Sequence, residues 1–117
     1  MSKFGEYIEA WKQQDKVLIK KASVLKEDVW QVLPKVTKKL KSIGVKEVII
    51  FGSFIEGDFR PNSDIDIAVE GLSSDKYIDA IVETERILRS IPIDFDLVLS
   101  ERAHSWIKEK IERGTRL

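Results

Sequence analysis

A chain of 117 residues has room for one domain, and 43% hydrophobic with 34% charged residues is the balance of a globular protein rather than a disordered one. Zero Cys excludes disulfides, thiolate metal sites and a cysteine nucleophile, and the single histidine, His104, excludes a His-rich metal centre. Twenty basic against twenty acidic side chains give a formal net charge of zero, which argues against bulk electrostatic binding to DNA or a membrane. No apolar run approaches the roughly 18 residues of a membrane-crossing helix, and the N-terminus lacks a signal-peptide profile. A cytoplasmic protein with no membrane partner is expected.

The neutral total hides an asymmetry. Residues 1–43 carry a net +5, residues 44–100 a net −7, and residues 101–117 a net +2. Acidic centres between basic flanks arise from solvated helix faces, or from carboxylates that converge on a cation.

In chain order, Phe4, Tyr7, Ile8 and Trp11 have helical spacing and are short enough to form a docking arm. From Val17, an amphipathic stripe runs through Leu18, Ala22, Leu25, Val29, Val32 and Leu33. Pro34 is expected to kink or restart the helix, which Val36, Leu40 and Ile43 carry on to a Gly44 cap. The lysines at 35, 38, 39 and 41 line its other sides and read first as a solvated face. Residues 45–51 (VKEVIIF) form a strand, nearly all apolar at its end and therefore central. Gly52-Ser53 stops it, a helical turn through Ile55 precedes Gly57, and residues 60–63 are turn chemistry. Residues 64–70 (DIDIAVE) alternate as a second strand. Ser74 caps a helix to about residue 90, with Ile78, Ile81, Val82 and Leu88 facing inward. After Pro92, residues 93–99 (IDFDLVL) form a third strand, and Ser100 caps a last helix through Arg113, ended by Gly114. This order predicts an α+β domain with a small mixed sheet of three or more strands, covered by helices on one side.

Two strands then place carboxylates on the face opposite their apolar residues, which is costly in a half-buried sheet unless something positive sits there. Residues two apart on a strand point the same way, about 7 Å apart at Cα. Asp64 and Asp66 therefore reach one small volume, as two Mg²⁺ ions would require, and Asp96 or Asp94 on the neighbouring strand supplies a third carboxylate. A D-x-D alone is a common surface pattern. Upstream, however, Gly52 lets backbone amides approach a phosphate, and the Ser53 hydroxyl can donate to it at the start of a helical turn.

The stretch FGSFIEGDFRPNSDIDIAV resembles the G-S-x10-D-x-D signature of the polymerase β-like nucleotidyltransferase superfamily, and IDFDLV resembles its third-carboxylate strand. The small size and the closing IKEKIERGTRL are similar to the minimal nucleotidyltransferase (MNT) branch, typically encoded beside a HEPN-domain partner as a toxin–antitoxin pair. The resemblance covers about residues 34–117, leaving residues 1–33 as an N-terminal helical extension. It implies Gly52 and Ser53 on nucleotide phosphates, Asp64 and Asp66 on two Mg²⁺ ions, and Asp96, with Asp94 as alternative, completing the catalytic carboxylates. It also implies ATP as substrate, AMP transfer to a tyrosine of the HEPN toxin, an antitoxin role, and association into an oligomer. One departure is visible. Where family members often carry an Arg soon after G-S, this chain has Phe54-Ile55-Glu56, and Arg60 is the first basic candidate for the phosphates.

An antitoxin that masks its partner by contact, with a vestigial site, is the alternative. Nucleic-acid binding through the lysines of residues 35–41 is a weaker third reading. Asn62, Asp64 and Asp66 mimic an EF-hand start, but Ile67 stands at its obligatory Gly. There is no P-loop. His104 reads as a surface or partly packed residue, and Trp11, Trp30 and Trp106 as core or interface rather than stacking platforms.

Overall fold

The computed structural model describes the backbone of residues 3–117 and the side chains of residues 16–117. The proposed docking role of Phe4, Tyr7, Ile8 and Trp11 therefore lies outside the described side chains. Helix α1 (Lys3–Ile43) is one element. Ala22, Val29, Leu33, Val36 and Leu40 are its buried stripe, recurring at helical spacing. Val17 and Leu18, read as the start of that stripe, are exposed.

The helix does not restart at Pro34. Trp30 and Pro34 both lie on the exposed face, so water can reach the carbonyl that the missing proline amide leaves unbonded. Gly44 ends the helix at φ 123°, and the Val45 amide returns to the Leu40 carbonyl at 3.1 Å.

Strands β1 (Glu47–Phe51), β2 (Ile65–Glu70), β3 (Phe95–Leu99) and β4 (Thr115–Arg116) form one sheet in the order β3-β2-β1-β4. The β1–β2 and β1–β4 pairs are antiparallel, and β2–β3 is parallel. Val48, Ile50, Ile65, Ile67, Val69 and Leu97 pack with α1 and with α3 (Tyr77–Leu88) in the main core. The other face is not bare. Ile49, Phe51 and Ala68 pack against Ile107 and Ile111 of α4 (Ser105–Glu112), so helices cover both sides of the sheet.

Three sequence expectations are corrected here. First, Ile78 and Val82 of α3 face solvent, and Ala80, Thr84 and Leu88 are buried. The inward stripe starts at Tyr77, whose hydroxyl donates to the Leu97 carbonyl, and a hydrophobicity reading undervalues a stripe holding Tyr and Thr. Second, Ser100 opens only a 3-10 turn, Ser100–Arg102, after which Ala103 is extended and α4 begins behind His104. Third, the tail does not end at a helix stop. The Gly114 α-carbon passes so close to β1 that a Cβ would lie 2.5 Å from the Ile50 carbonyl oxygen, and the next two residues pair as β4. Among the described residues no helix is long and apolar enough to cross a membrane.

The short helix α2 (Ser53–Glu56) follows β1 directly and is held by Phe54, which is 2% exposed. Its ring lies 5.3 Å from that of Trp30 on α1 and 5.2 Å, edge to face, from that of Phe59. Phe54→Ala is expected to cost about 3–5 kcal/mol in denaturant unfolding. A loss below about 1 kcal/mol would mean that α2 is docked by something else.

Candidate active site

The strand register gathers the carboxylates. Phe51 on β1 stands opposite Asp66 on β2, and Asp66 stands beside Asp96 on β3. Side chains in one row of a sheet share a face, so Asp66 and Asp96 are neighbours. Asp64 precedes β2 by one residue, where the Ile65 amide donates to the Asp94 carbonyl at 2.9 Å and ties the two strand starts together.

The turn after β1 closes on this row. Gly52 has φ 78°, and its carbonyl accepts the Ile55 and Glu56 amides at 3.0 and 2.9 Å. A Cβ at Gly52 would lie 2.3 Å from Asp66 Oδ2, so only glycine lets the turn approach the carboxylate this closely. Ser53, half-buried, begins α2 beside it. The G-S turn and the carboxylate pair, fourteen positions apart between Gly52 and Asp66, are thus one site.

Asp66 is half-buried, whereas Asp96 and Asp64 are exposed. Burial pushes the Asp66 carboxyl above the ordinary carboxylate value, and the charges of Asp96 and then Asp64 push it further. Lys110 acts in the opposite direction. Among the described residues no three carboxylate or imidazole side chains are gathered closely enough to hold a metal ion by themselves. Mg²⁺ is commonly held by one or two carboxylates, with waters and substrate phosphates completing its octahedron, so this donor set fits the ion. The hard oxygen ligands and the uncompensated charge around Asp66 point the same way.

Asp66 and Asp96 line an open cleft of about 640 Å³ whose far wall is the start of α4. Arg102, His104, Trp106 and Lys110 line that wall. Asp64 and Asp94 line a second hollow, with Arg89 and Phe95. Asp96 is therefore the residue brought alongside Asp66, and Asp94 stands at the strand entrance with Asp64. Arg60 is not in the cleft. It lines a small hollow with Leu18, Ala22 and Phe59, on the α1 side of its loop.

The segment Phe54-Ile55-Glu56 brings no cation to the site either, since it contains none and Phe54 is core. The cations of the cleft are Arg102 and Lys110, which the sequence reading passed over. Their one sequence signal is Trp106 and Lys110 four apart on one helix face, directly after the third carboxylate strand. Trp106 is 60% exposed and is not core.

A mixed four-stranded sheet with a glycine-serine turn pressed against paired strand carboxylates is the fold and site of a small nucleotidyltransferase. The sequence model of the family described as "Polymerase beta, Nucleotidyltransferase" matches residues 34–117, and the chain belongs to that family of nucleotidyltransferase enzymes. It is 27% identical over 88 residues to a protein adenylyltransferase MntA of Thermococcus cleftensis, an alignment covering 74% of this chain and 89% of that one. A toxin–antitoxin crystal structure with AMP-PNP superposes with a TM-score of 0.57 at 24% identity, over 74% of this chain and 69% of that one. A structure described as a nucleotidyltransferase of Sulfolobus solfataricus gives a TM-score of 0.51 at 21% identity, over 82% and 85%. These two likenesses concern the fold.

Two outcomes follow from the geometry. The folded chain holds the Asp66 proton more tightly than the unfolded one, so stability falls as pH rises from the unfolded value of 3.8 through the folded value. Asp66→Asn is expected to melt higher than the wild type at neutral pH and to converge with it below pH 3.8 in thermal unfolding. Gly52→Ala, by contrast, strains a positive φ and collides with Asp66, and it should lose about 1–3 kcal/mol in the same assay.

Proposed function

We propose that this protein transfers AMP from ATP to a hydroxyl acceptor, a tyrosine of a HEPN-domain toxin partner, and thereby acts as that toxin's antitoxin. Family membership supports the reaction class. The protein adenylyltransferase relative supports AMP as the transferred group and a protein as the acceptor. The observation that carries the reading is Asp66, a half-buried carboxylate held between Gly52 and Asp96 with no ion pair to a cation among the described residues.

In this reading Gly52 and Ser53 receive the nucleotide phosphates, the glycine by close backbone approach and the serine by its hydroxyl. Asp64, Asp66 and Asp96 would hold Mg²⁺, which neutralises charge on the phosphates. The acceptor oxygen attacks the α-phosphorus. A new P–O bond forms as the bond to the β-phosphate bridging oxygen breaks, and pyrophosphate leaves with the electron pair. Asp96, exposed at the cleft mouth, orients the hydroxyl and takes up its proton. Fixing the reacting groups in line supplies much of the rate. Dividing the chain into a helical extension, residues 1–33, and a minimal nucleotidyltransferase domain, residues 34–117, leaves Ala22, Val29 and Leu33 of the extension in the chain's own core and its exposed side chains to the partner. Among the described side chains, Val17, Leu18 and Ile19 lie exposed on α1, in keeping with a covered surface in a hetero-oligomer.

The test is label transfer from α-labelled ATP and Mg²⁺ to the co-purified partner. Asp64→Asn with Asp66→Asn should reduce labelling by roughly a hundredfold or more. Undiminished labelling would overturn the assignment. A partner neutralised equally well by the double variant would select masking by contact instead.

A further inference from the structure

The cleft beside Asp66 has two chemically different walls. Asp66 and Asp96 form one, with the apolar side chains of Phe51 and Val98 beside them on the sheet. The start of α4 forms the other. Trp106 is among the most exposed large apolar side chains of the described residues, at 60%. The Lys110 ammonium sits 5.6 Å from that ring's centroid, one helical turn on.

Of the five basic residues of the C-terminal segment, two are ion-paired, and Arg102, Lys108 and Lys110 are not among the ion pairs of the described residues. Arg113 pairs with Glu56 at 2.9 Å, and Arg116 pairs with Glu70 and Glu47 at 3.4 and 3.8 Å. Arg102 and Lys110, the two that line the cleft, have no ion-pair partner among the described residues. A volume of about 640 Å³ is within the range of small-ligand sites. A bare aromatic face next to unpaired cations, opposite carboxylates, suits a ligand that is flat and aromatic at one end and polyanionic at the other. A nucleoside triphosphate is such a ligand.

We propose that α4 carries nucleotide recognition, with Trp106 as the face on which the base stacks and Lys110, joined by Arg102, as the cation that meets the phosphates. This rests on the nucleotidyl-transfer reading and adds to it the residues that hold the substrate. It also gives the cleft the positive charge that the loop after Gly52 does not provide, because Phe54 is buried and Arg60 faces another hollow. Stacking on tryptophan is tolerant of base identity, so the site binds a nucleoside triphosphate without reading the base edge.

Calorimetric binding of Mg·ATP and of Mg·tripolyphosphate to the full chain separates the two roles. Trp106→Ala should weaken ATP roughly tenfold or more and leave tripolyphosphate unchanged, and Trp106→Phe should recover most of the loss. Lys110→Ala should weaken both ligands by a similar factor. Both side chains are exposed, so neither change removes core packing. ATP binding at wild-type strength by Trp106→Ala, or equal loss of both ligands, would overturn the stacking assignment. Wild-type affinity in Lys110→Ala would overturn the phosphate assignment. A wild-type chain that binds no nucleoside triphosphate would overturn the nucleotidyl-transfer reading itself, an outcome distinct from the other two.

Discussion

The row Phe51–Asp66–Asp96 across three elements of the sheet is the constraint on which the site depends. Placing two carboxylates side by side on adjacent strands opposes folding. At an effective dielectric near 20 such a contact costs on the order of a few kcal/mol. The opposite face of the same strands outweighs it. Val48, Ile50, Ile65, Ile67 and Val69 are fully buried, and each aliphatic side chain contributes roughly 1.5–3 kcal/mol on leaving water. Strand periodicity couples the two faces, because a slip of one residue in β2 would turn Ile65, Ile67 and Val69 out of the main core and Asp66 into it. Burial of the aliphatic set therefore fixes the register, and the register brings Asp66 beside Asp96.

The turn after β1 divides two tasks between neighbouring residues. Gly52 has no side chain where Asp66 needs room, and Phe54 fills the space between α1 and the loop at Phe59. A basic side chain at 54 could not occupy that packed position without burying a charge. The departure from the family pattern therefore marks where α2 is anchored. Positive charge enters the cleft from α4, which reaches it because the chain breaks at Ala103 and turns across the sheet's second face. Ile107 and Ile111 hold the helix down, leaving Trp106 and Lys110 beside the carboxylates.

Much of this was legible in the sequence, for identifiable reasons. Strict alternation in DIDIAVE and IDFDLVL puts Asp66 and Asp96 on one face, while Asp64 and Asp94, which precede the strands, line a separate hollow; Gly52-Ser53 after an apolar strand is a local signal. The errors came where a non-local contact decides. The phase of α3 depends on Tyr77 reaching the Leu97 carbonyl, so Ile78 and Val82 point outward against their hydrophobicity. The extended Ala103 follows a 3-10 turn whose Glu101 carboxylate accepts the Gly71 amide at 2.6 Å, a contact thirty residues away in sequence. Strand β4 is two residues long and exists only because β1 offers it an edge. Arg60 is the first basic residue of the loop after Gly52-Ser53, but its loop turns it toward α1.

The zero net charge conceals how these elements interact. Of the residues that make the C-terminal segment basic, Arg113 and Arg116 fasten α4 and β4 to Glu56, Glu47 and Glu70 of the acidic centre. These pairs are exposed, and each is worth little alone. Their effect is placement, since they fix the C-terminal end of α4 and the strand that follows it. Of the other three, Arg102 and Lys110 line the cleft with Asp66 and Asp96 and are not in ion-pair contact with them. Closing that gap within the chain would neutralise the carboxylates and leave no room for a ligand. Holding it open leaves an anionic wall that attracts cations and a cationic wall that attracts anions, and a metal-bound polyphosphate satisfies both at once.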